Sequence, residues 1–233
     1  MEFLDIVDEN NNLTGEIEER NYVHELGLWH RHSSCWIMNN NGEILLQKRA
    51  STKKRNPSKW SKTGGHVETG ETPIKALKRE VLEEIGIKLR DDQIEFIKEF
   101  KNNTESNKSF NYNYFVRVNY RIEEYIIQKE ELSEVRYFTI EEIEQTKLEN
   151  DQSFAFTNWP DNDFYKEIEY LKRKREEIKE LIKNLRKVNS DIDNSIFRSM
   201  NNINLDCVLG TKKNGEYKGF LDEYDENKQN ILE

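Results

Sequence analysis

Residues 65–87 read GHVETGETPIKALKREVLEEIGI and carry the most informative pattern in the chain. Apolar side chains recur there at spacings of three and four residues, which is typical of one face of an amphipathic helix. They are Ile74, Leu77, Val81, Leu82 and Ile85. Thr72 is a natural N-cap, Pro73 suits the first turn, and Gly86 is the expected terminator. The pattern predicts a helix over 73–85 that follows a loop containing glycine.

The polar face of this helix carries three glutamates. Glu80 and Glu84 are four residues apart and Glu83 follows Glu80 by three, so their carboxylates point to one side. We expect Glu80 and Glu83 to face solvent. Such oxygen ligands suit Mg²⁺ or Mn²⁺, which keep positions for water and substrate phosphates. A solvated acidic face is the simpler alternative, but it does not account for Arg79, which can pair with Glu71 and hold the loop against the helix.

The segments around this helix predict a mixture of strands and helices. Strands are predicted at 3–7, 28–38, 43–47, around Trp60, and at 93–100, 110–120 and 134–138. The second and third flank the turn 39–42, whose Gly42 tolerates positive φ, and should form a hairpin. A short helix is predicted over 140–145. This mixture favours an α+β sandwich over a doubly wound parallel sheet.

A long charged helix is predicted over 163–187, after a change of composition at Trp159 and Pro160. We therefore expect a first domain over 1–160 and a helical extension over 161–233. The last fifteen residues of the extension are a candidate for disorder.

The apolar residues of the long helix follow the spacing of a coiled-coil seam, with Arg175 at one step. They are Phe164, Ile168, Leu171, Ile178, Ile182 and Leu185. The helix would be roughly 37 Å long, which exceeds one side of a small domain. We expect it to lie outside the catalytic centre and to need a second surface, from another subunit in a homodimer or from the tail around Ile196, Phe197, Ile203 and Leu205. A helix lying wholly on its own domain is the alternative.

Composition limits the partners. The 233 residues include 36 Lys and Arg against 45 Asp and Glu, a net charge of −9. This balance gives no general attraction to phosphate backbones or anionic lipid, so we expect no nucleic-acid polymer and no membrane as partner. Two distant cysteines exclude a disulfide framework, and no signal-peptide pattern or window of about 18 apolar residues occurs. We expect a cytoplasmic protein.

The segment from Gly65 to Ile87 resembles the signature of the Nudix hydrolase family. That signature is Gly, five residues, Glu, seven residues, Arg-Glu, aliphatic, any, Glu-Glu, any, Gly, aliphatic, and every fixed position is matched. The resemblance implies the α/β/α sandwich of the family around a mixed sheet, over about residues 1–160. It also implies a small-molecule substrate, a nucleoside diphosphate linked to another moiety, whose diphosphate bond is hydrolysed.

The resemblance also implies the metal ligands. They would be the carboxylates of Glu80, Glu83 and Glu84 and the Gly64 carbonyl, holding Mg²⁺ or Mn²⁺. Two divalent ions would offset the charge of the diphosphate, orient a bound water and lower its pKa. Arg79 would belong to the catalytic set as a supporting residue, together with Glu71.

The general base has two candidates. Glu83 lies beside the metals, and Glu131 lies in the loop 129–134, from which many family members bring a glutamate. We favour Glu83. An alternative function is a catalytically idle Nudix-fold sensor that binds a nucleotide metabolite, but such proteins commonly lose signature glutamates and this chain keeps them all.

Upstream residues resemble the branch of the family close to isopentenyl diphosphate isomerase. The matching segments are 27–31, 45–49, 53–54, 57–60 and 65–66. In that isomerase, histidines matching His30 and His66 hold a metal and a nearby cysteine transfers protons. Here Gly64 stands at the cysteine's position and the strand 109–114 offers no carboxylate, so we expect hydrolysis. His30 and His66 remain open as metal ligands or as ordinary hydrogen-bonding residues.

Further side chains are candidates for substrate contact. The cluster of Arg49, Lys53, Lys54 and Arg55 lies next to the phosphate loop and either binds phosphates or is merely solvated. Five aromatic residues are candidates for stacking on a base, although strand alternation places about half of them in the core. They are Trp36, Trp60, Tyr112, Tyr114 and Phe115. Cys35 is expected to be a small buried hydrophobe.

Overall fold

A computed structural model describes residues 2–104, 107–188, 210–213 and 216–219. The strands are β1 (Phe3–Val7), β2 (Leu13–Glu19), β3 (His30–Met38), β4 (Ile44–Arg49), β5 (Trp60–Ser61), β6 (Thr63–His66), β7 (Ile94–Thr104), β8 (Asn107–Arg117), β9 (Leu132–Phe138), β10 (Gly210–Lys213) and β11 (Glu216–Gly219). The α-helices are α1 (Arg20–Glu25), α2 (Pro73–Ile85), α3 (Ile140–Leu148) and α4 (Asp161–Val188). Within these ranges, no helix has the length and apolar character needed to cross a membrane.

The chain divides into two compact units, residues 1–179 and 180–233. The second unit contains the end of α4 and an antiparallel hairpin of β10 and β11. The predicted domain boundary at 160 stays a prediction. The tail residues Ile196, Phe197, Ile203 and Leu205, and positions 220–233 of the candidate disordered end, lie outside the described residues.

The main sheet of the first unit is mixed. Its strands lie in the order β5-β4-β3-β8-β7, with β6 also paired to β3 and β9 to β4. β3 and β8 run parallel, and the other pairs are antiparallel. The predicted hairpin is confirmed, because β3 and β4 pair across a turn in which Gly42 has φ +79°. The α+β class with a mixed sheet is therefore confirmed.

Helices cover both faces of this sheet. On one face, α2 packs Leu77, Val81 and Ile85 against core residues that include Cys35, which is 1% exposed as expected. On the other face, Trp36 of β3 packs on Phe156, which stacks on Phe164 of α4. These are the three layers of the expected α/β/α sandwich.

The predicted boundaries of α2 are confirmed at both ends. The helix runs from Pro73 to Ile85, and the Thr72 carbonyl accepts from the Ala76 backbone at 3.0 Å. Gly86 adopts the left-handed conformation with φ +76°, and its N–H donates to the Leu82 carbonyl. These two ends set the length of α2. They therefore determine which side chains of its last two turns face the preceding loop.

In the first unit, three of the strands and α-helices are not predicted from the sequence: β2, α1 and β6. β2 is exposed along nearly its whole length and so lacks the alternation that marks a half-buried strand. β6 contains Gly64 and Gly65, which indicate a loop, yet it pairs with β3 and brings His66 opposite His32. A Cβ at Gly64 would lie 2.3 Å from the Ser33 carbonyl oxygen, so close strand approach requires glycine there.

The first half of α4 lies on its own unit. Phe164, Ile168 and Leu171 are at most 1% exposed, and Arg175 donates to Glu141 of α3 at 2.7 Å. The sheet face and α3 cover these apolar residues. This part of α4 is therefore packed on its own domain, which is the alternative interpretation of the helix. Association into a homodimer stays a prediction. No described residue of α4 lines the cavity described below, although Glu167 contacts Lys62, which does. That the helix lies outside the catalytic centre stays a prediction.

Candidate active site

A cavity of about 510 Å³ lies between the loop before α2 and the sheet face next to α4. Six glutamates line it: Glu2, Glu68, Glu80, Glu83, Glu84 and Glu131. Gly64, His66 and Arg79 line it as well. The structure therefore gathers around one cavity the residues that the sequence assigns to metal binding and catalysis, although they come from β6, α2 and the loop before β9.

Arg79 ties the loop to the helix. Its Nε and Nη2 donate to the two carboxylate oxygens of Glu71 at 3.0 Å each, and Nη2 also donates to the His66 carbonyl at 2.9 Å. Its Nη1 donates to Glu80 at 2.8 Å and to Glu83 at 3.2 Å. One guanidinium thus lies among the acidic residues and offsets part of their mutual repulsion.

Glu80 lies against the backbone of the loop. A Cβ at Gly65 would be 2.1 Å from Oε1 of Glu80, so any side chain there would have to displace the carboxylate. The Glu80 side chain is 16% exposed, and burial raises its pKa to about 7 although Arg79 opposes the shift. The expectation that Glu80 faces solvent is therefore wrong, whereas Glu83 is 52% exposed.

Glu84 is the most deeply buried carboxyl of the set. It is 4% exposed and accepts a hydrogen bond from Nε2 of Gln47 at 2.8 Å. The Gln47 Oε1 in turn accepts from the Thr63 hydroxyl at 2.9 Å, which fixes the amide's orientation. Burial, with the charge of Glu80 nearby, raises the pKa of Glu84 to about 8. Glu84 is thus positioned by neutral partners.

These carboxyls fit a hard divalent cation. All donors are oxygens, as Mg²⁺ and Mn²⁺ prefer. Glu84 is buried with a neutral amide as its hydrogen-bond partner, and its raised pKa is what a buried carboxyl shows in the absence of a cation. A divalent ion bound beside it would reverse that shift.

The two candidate bases differ in their partners. Glu83 is half-exposed and shares Nη1 of Arg79 with Glu80. Glu131 lines the cavity but forms an ion pair with Lys53 at 2.5 Å. Lys53 therefore neutralises the loop carboxylate instead of extending into the cavity.

His66 belongs to a cluster of three histidines. The ligand atoms of His24, His30 and His66 all lie within 4.8 Å of one another, and Nε2 of His24 is 3.0 Å from Nε2 of His66. Burial lowers the pKa of all three, to about 4 for His24. Neutral imidazoles with available lone pairs are the form that binds transition metals. His24, whose participation is not predicted from the sequence, lies in the unpredicted helix α1.

Arginines form the basic part of the cavity. Arg49 and Arg55 from the predicted cluster line it, and Arg20 of α1 joins them. Burial, then the charges of Arg20 and Arg49, lower the pKa of Arg55. Lys54 is not part of the lining. Together with Arg79, four guanidinium groups line the cavity and provide donors for anionic oxygens.

Aromatic residues also line the cavity, but they are not the predicted ones. Phe100, Phe156 and Trp159 contribute to the lining, together with Lys62. Of the five predicted candidates, four are buried in the core, and Tyr112 is hydrogen-bonded to Asn11. The signal for Trp159 is present in the sequence, where Trp159-Pro160 is interpreted only as a domain boundary.

The described residues of the site lack two features of the isomerase: the cysteine that transfers protons and the carboxylates of the later strand. Gly64 approaches β3 too closely for a cysteine, because a Cβ would meet Ser33 and Ser34 backbone atoms. On β8, Asn111 lines the cavity and Asn113 lies buried behind it, where carboxylates would be needed.

Comparisons with known proteins show the family to which the chain belongs. The family model described as the NUDIX domain matches residues 28–159, more than half of the chain. Nudix hydrolase 3 of Arabidopsis thaliana is 32% identical over 164 residues, which cover 66% of this chain and 21% of the plant protein. An uncharacterized Nudix hydrolase of Clostridium acetobutylicum is 31% identical over 150 residues, covering 61% of this chain and 72% of that relative.

The isomerase resemblance is narrower. Isopentenyl-diphosphate Delta-isomerase of Streptomyces coelicolor is 36% identical over 85 residues, which cover 36% of this chain and 43% of the isomerase. Among solved structures, DR0079 from Deinococcus radiodurans has a TM-score of 0.56 at 20% identity, covering 74% of this chain and 98% of that one, and so shares the fold. The chain belongs to the Nudix domain family and carries a Nudix pyrophosphohydrolase domain, of the class that generally hydrolyses nucleoside diphosphate derivatives with divalent metals.

Proposed function

We propose that this protein hydrolyses the diphosphate bond of a nucleoside diphosphate linked to another moiety, with Mg²⁺ or Mn²⁺ as cofactor. The observation that supports this most is the gathering of Glu80, Glu83 and Glu84 at one end of a cavity, with Arg79 braced among them. All three are residues of the Nudix signature, and the cavity beside them is large enough for a small molecule.

The residues of the site have different proposed roles. Glu80, Glu84 and the Gly64 carbonyl would hold divalent cations, which supply charge neutralisation and an activated water when bound. Glu83 would accept the proton of the attacking water, because it is half-exposed in the cavity lining and only shares Arg79 with Glu80, whereas Glu131 is paired with Lys53. Arg79 keeps the loop and helix in register.

The arginines would contact the substrate's phosphates. Arg49 and Arg55 line the same cavity as the glutamates. An anionic diphosphate would be attracted both to these guanidinium groups and to the cations that the glutamates would hold. Lys53 binds Glu131 instead, so it holds the loop rather than the substrate. The substrate would therefore be a small molecule held by charge at its diphosphate. The acidic composition supports the further proposal of a cytoplasmic protein with no nucleic-acid polymer as partner.

The three histidines favour a second cation site of different chemistry. His24, His30 and His66 offer nitrogen ligands, which suit Zn²⁺ or Mn²⁺ better than Mg²⁺. Nδ1 of His30 lies 3.0 Å from the Leu28 carbonyl, which favours the tautomer that leaves Nε2 free for a metal.

Activity separates this proposal from the sensor alternative. The purified protein is incubated with nucleotide sugars, dinucleotides, nucleoside di- and triphosphates and isoprenoid diphosphates, each with Mg²⁺ or Mn²⁺ and each with a chelator. Metal-dependent release of a monophosphate from a nucleoside diphosphate derivative supports the proposal. Tight binding without turnover of any compound would instead support the sensor.

A further inference from the structure

A buried lysine forms part of the aromatic side of the cavity. The Lys62 side chain is 7% exposed, and Lys62 lines the cavity. Its Nζ donates to Oδ1 of Asn113 at 2.8 Å and lies 5.1 Å from the ring centre of Trp36 and 4.9 Å from that of Trp159. Burial of an ammonium group is unfavourable unless it has partners, so its position needs an explanation.

Pairing with Glu167 accounts for the charge of Lys62 but not for all of its donors. The Glu167 carboxylate is 4% exposed and already pairs with Lys98 at 3.2 Å, and it accepts from Nε1 of Trp36 at 2.5 Å. Lys62 is the more distant cation, at 3.4 Å. Lys98 is 31% exposed, so the buried pair of Lys62 and Glu167 is neutral. The Lys62 ammonium carries three N–H groups, and Asn113 and Glu167 accept from two of them.

A second donor beside Lys62 lacks an acceptor. Asn113 is fully buried, and its Nδ2 has no hydrogen-bond partner among the described residues. Its Oδ1 already accepts from Lys62 and, at 3.5 Å, from the hydroxyl of Ser34, which lines the cavity. Asn113 does not line the cavity, so the donor within reach of a ligand is the remaining N–H of Lys62. Buried donors are normally satisfied, which favours a ligand that supplies an acceptor oxygen there.

The wall next to Lys62 is aromatic and fixed in place. The backbone carbonyl of Trp159 accepts from Nζ of Lys147 at 2.6 Å, and the backbone N–H of Trp159 donates to the Phe156 carbonyl at 3.0 Å. The Trp159 ring makes edge contacts with Phe156 and Trp36. A rigid indole suits a planar ring that stacks on it, and stacking on an aromatic side chain is tolerant of the identity of the base. Selectivity must then come from the donors.

We propose that this side of the cavity is the subsite for the substrate's nucleobase, and that it selects a base with a ring carbonyl. The base stacks on Trp159, and its carbonyl oxygen accepts a hydrogen bond from Nζ of Lys62. Guanine, uracil and cytosine have such an oxygen, whereas adenine does not. The proposal rests on the proposed function, since it identifies which nucleoside diphosphate derivatives that site takes.

Nucleoside monophosphates test this subsite independently of hydrolysis. We would measure the binding of GMP, UMP, AMP and ribose 5-phosphate by calorimetry in the presence of a chelator. The full-length protein should bind GMP and UMP about 10-fold more tightly than AMP, because a site built around a donor discriminates against a ligand without the acceptor. All three nucleotides should bind more tightly than ribose 5-phosphate, which lacks a base.

Variants locate the selectivity. Lys62→Met should reduce the preference for GMP and UMP over AMP to about 2-fold or less, and Lys62→Gln, which keeps a donor, should retain part of it. Trp159→Leu should lower the affinity for all three nucleotides to about that for ribose 5-phosphate, whereas Trp159→Phe should retain most of the affinity. Lys88→Met, at an exposed position, is the matched control.

The outcomes separate the subsite from the reaction. Equal affinity for AMP, GMP and UMP in the unsubstituted protein, a measurement that needs no variant to fold, would overturn the subsite. So would an unchanged preference in folded Lys62→Met. Selective nucleotide binding without hydrolysis of any diphosphate derivative would support the subsite and overturn the proposed function alone.

Discussion

Arg79 and Glu71 form a two-point pair in which Nε and Nη2 of the guanidinium each donate to one carboxylate oxygen at 3.0 Å. Seven residues separate them in the chain, and the pair closes the loop onto the middle of α2. Two parallel hydrogen bonds fix the direction of the guanidinium. Its third nitrogen, Nη1, is thereby directed toward Glu80 and Glu83.

Arg79→Lys should lower kcat/KM roughly 10- to 100-fold, because an ammonium cannot make the two-point pair while also reaching the helix glutamates. Steady-state kinetics on the best substrate checks this. Arg121→Lys, an exposed arginine that pairs with Glu124 outside the cavity, is the matched control and should retain normal activity. Normal activity in Arg79→Lys would mean that the pair does not position the glutamates.

Gly65→Ala should lower both metal affinity and turnover about 10-fold, because the added methyl group occupies the space of the Glu80 carboxylate. Mn²⁺ binding followed by electron paramagnetic resonance measures the first effect without substrate. Glu18→Ala, at an exposed position of β2 that does not line the cavity, is the control. Unchanged Mn²⁺ affinity in folded Gly65→Ala would contradict the role of Glu80 as a ligand.

None of the four histidines should titrate near pH 6.5 in the folded, metal-free protein. Burial lowers the pKa of each, to about 4 for His24 and about 3 for His32. The unfolded chain takes up protons as the pH falls through 6.5 while the folded chain does not, so the free energy of unfolding should decrease from there toward pH 4. Proton NMR of the imidazole resonances checks the first statement. An imidazole that titrates at 6.5 or above would contradict it.

The full-length chain should be a homodimer and a chain ending at Lys179 should be a monomer, if the coiled-coil spacing of α4 reflects association. Lys179 is the better end point for truncation, because Phe164 and Glu167 are buried in the first unit and ending earlier would remove them. Light scattering measures both. The same oligomeric state in the two chains would disprove the dimer.

The carboxylate end of the site was accessible from sequence because its residues lie on one short stretch. Helical spacing places Glu80, Glu83 and Glu84 together, and the caps of α2 fix its length. Periodicity does not reveal burial: it cannot show that Glu80 lies over Gly65 or that Gln47, from another strand, contacts Glu84. Those contacts depend on how β4 and β6 approach the helix.

The aromatic end of the cavity could not be predicted from the sequence, because its residues are distant in the chain and individually ordinary. Lys62 reads as a solvated lysine next to a glycine loop, and Glu167 reads as part of the charged face of a long helix. Only the packing of α4 on the sheet brings the two within 3.4 Å. Likewise, His24 lies in a helix of six residues, too short to show a periodic pattern.

The most direct test of the assigned chemistry is the kcat/KM of metal-dependent hydrolysis for Glu80→Gln and Glu83→Gln, with the exposed Glu123→Gln as matched control. Removing a ligand or a base should cost roughly 100-fold or more, so both site variants should lose nearly all activity while remaining folded by circular dichroism. The control should retain it. Near-normal turnover in both folded site variants would contradict the assignment of this cavity as the catalytic centre.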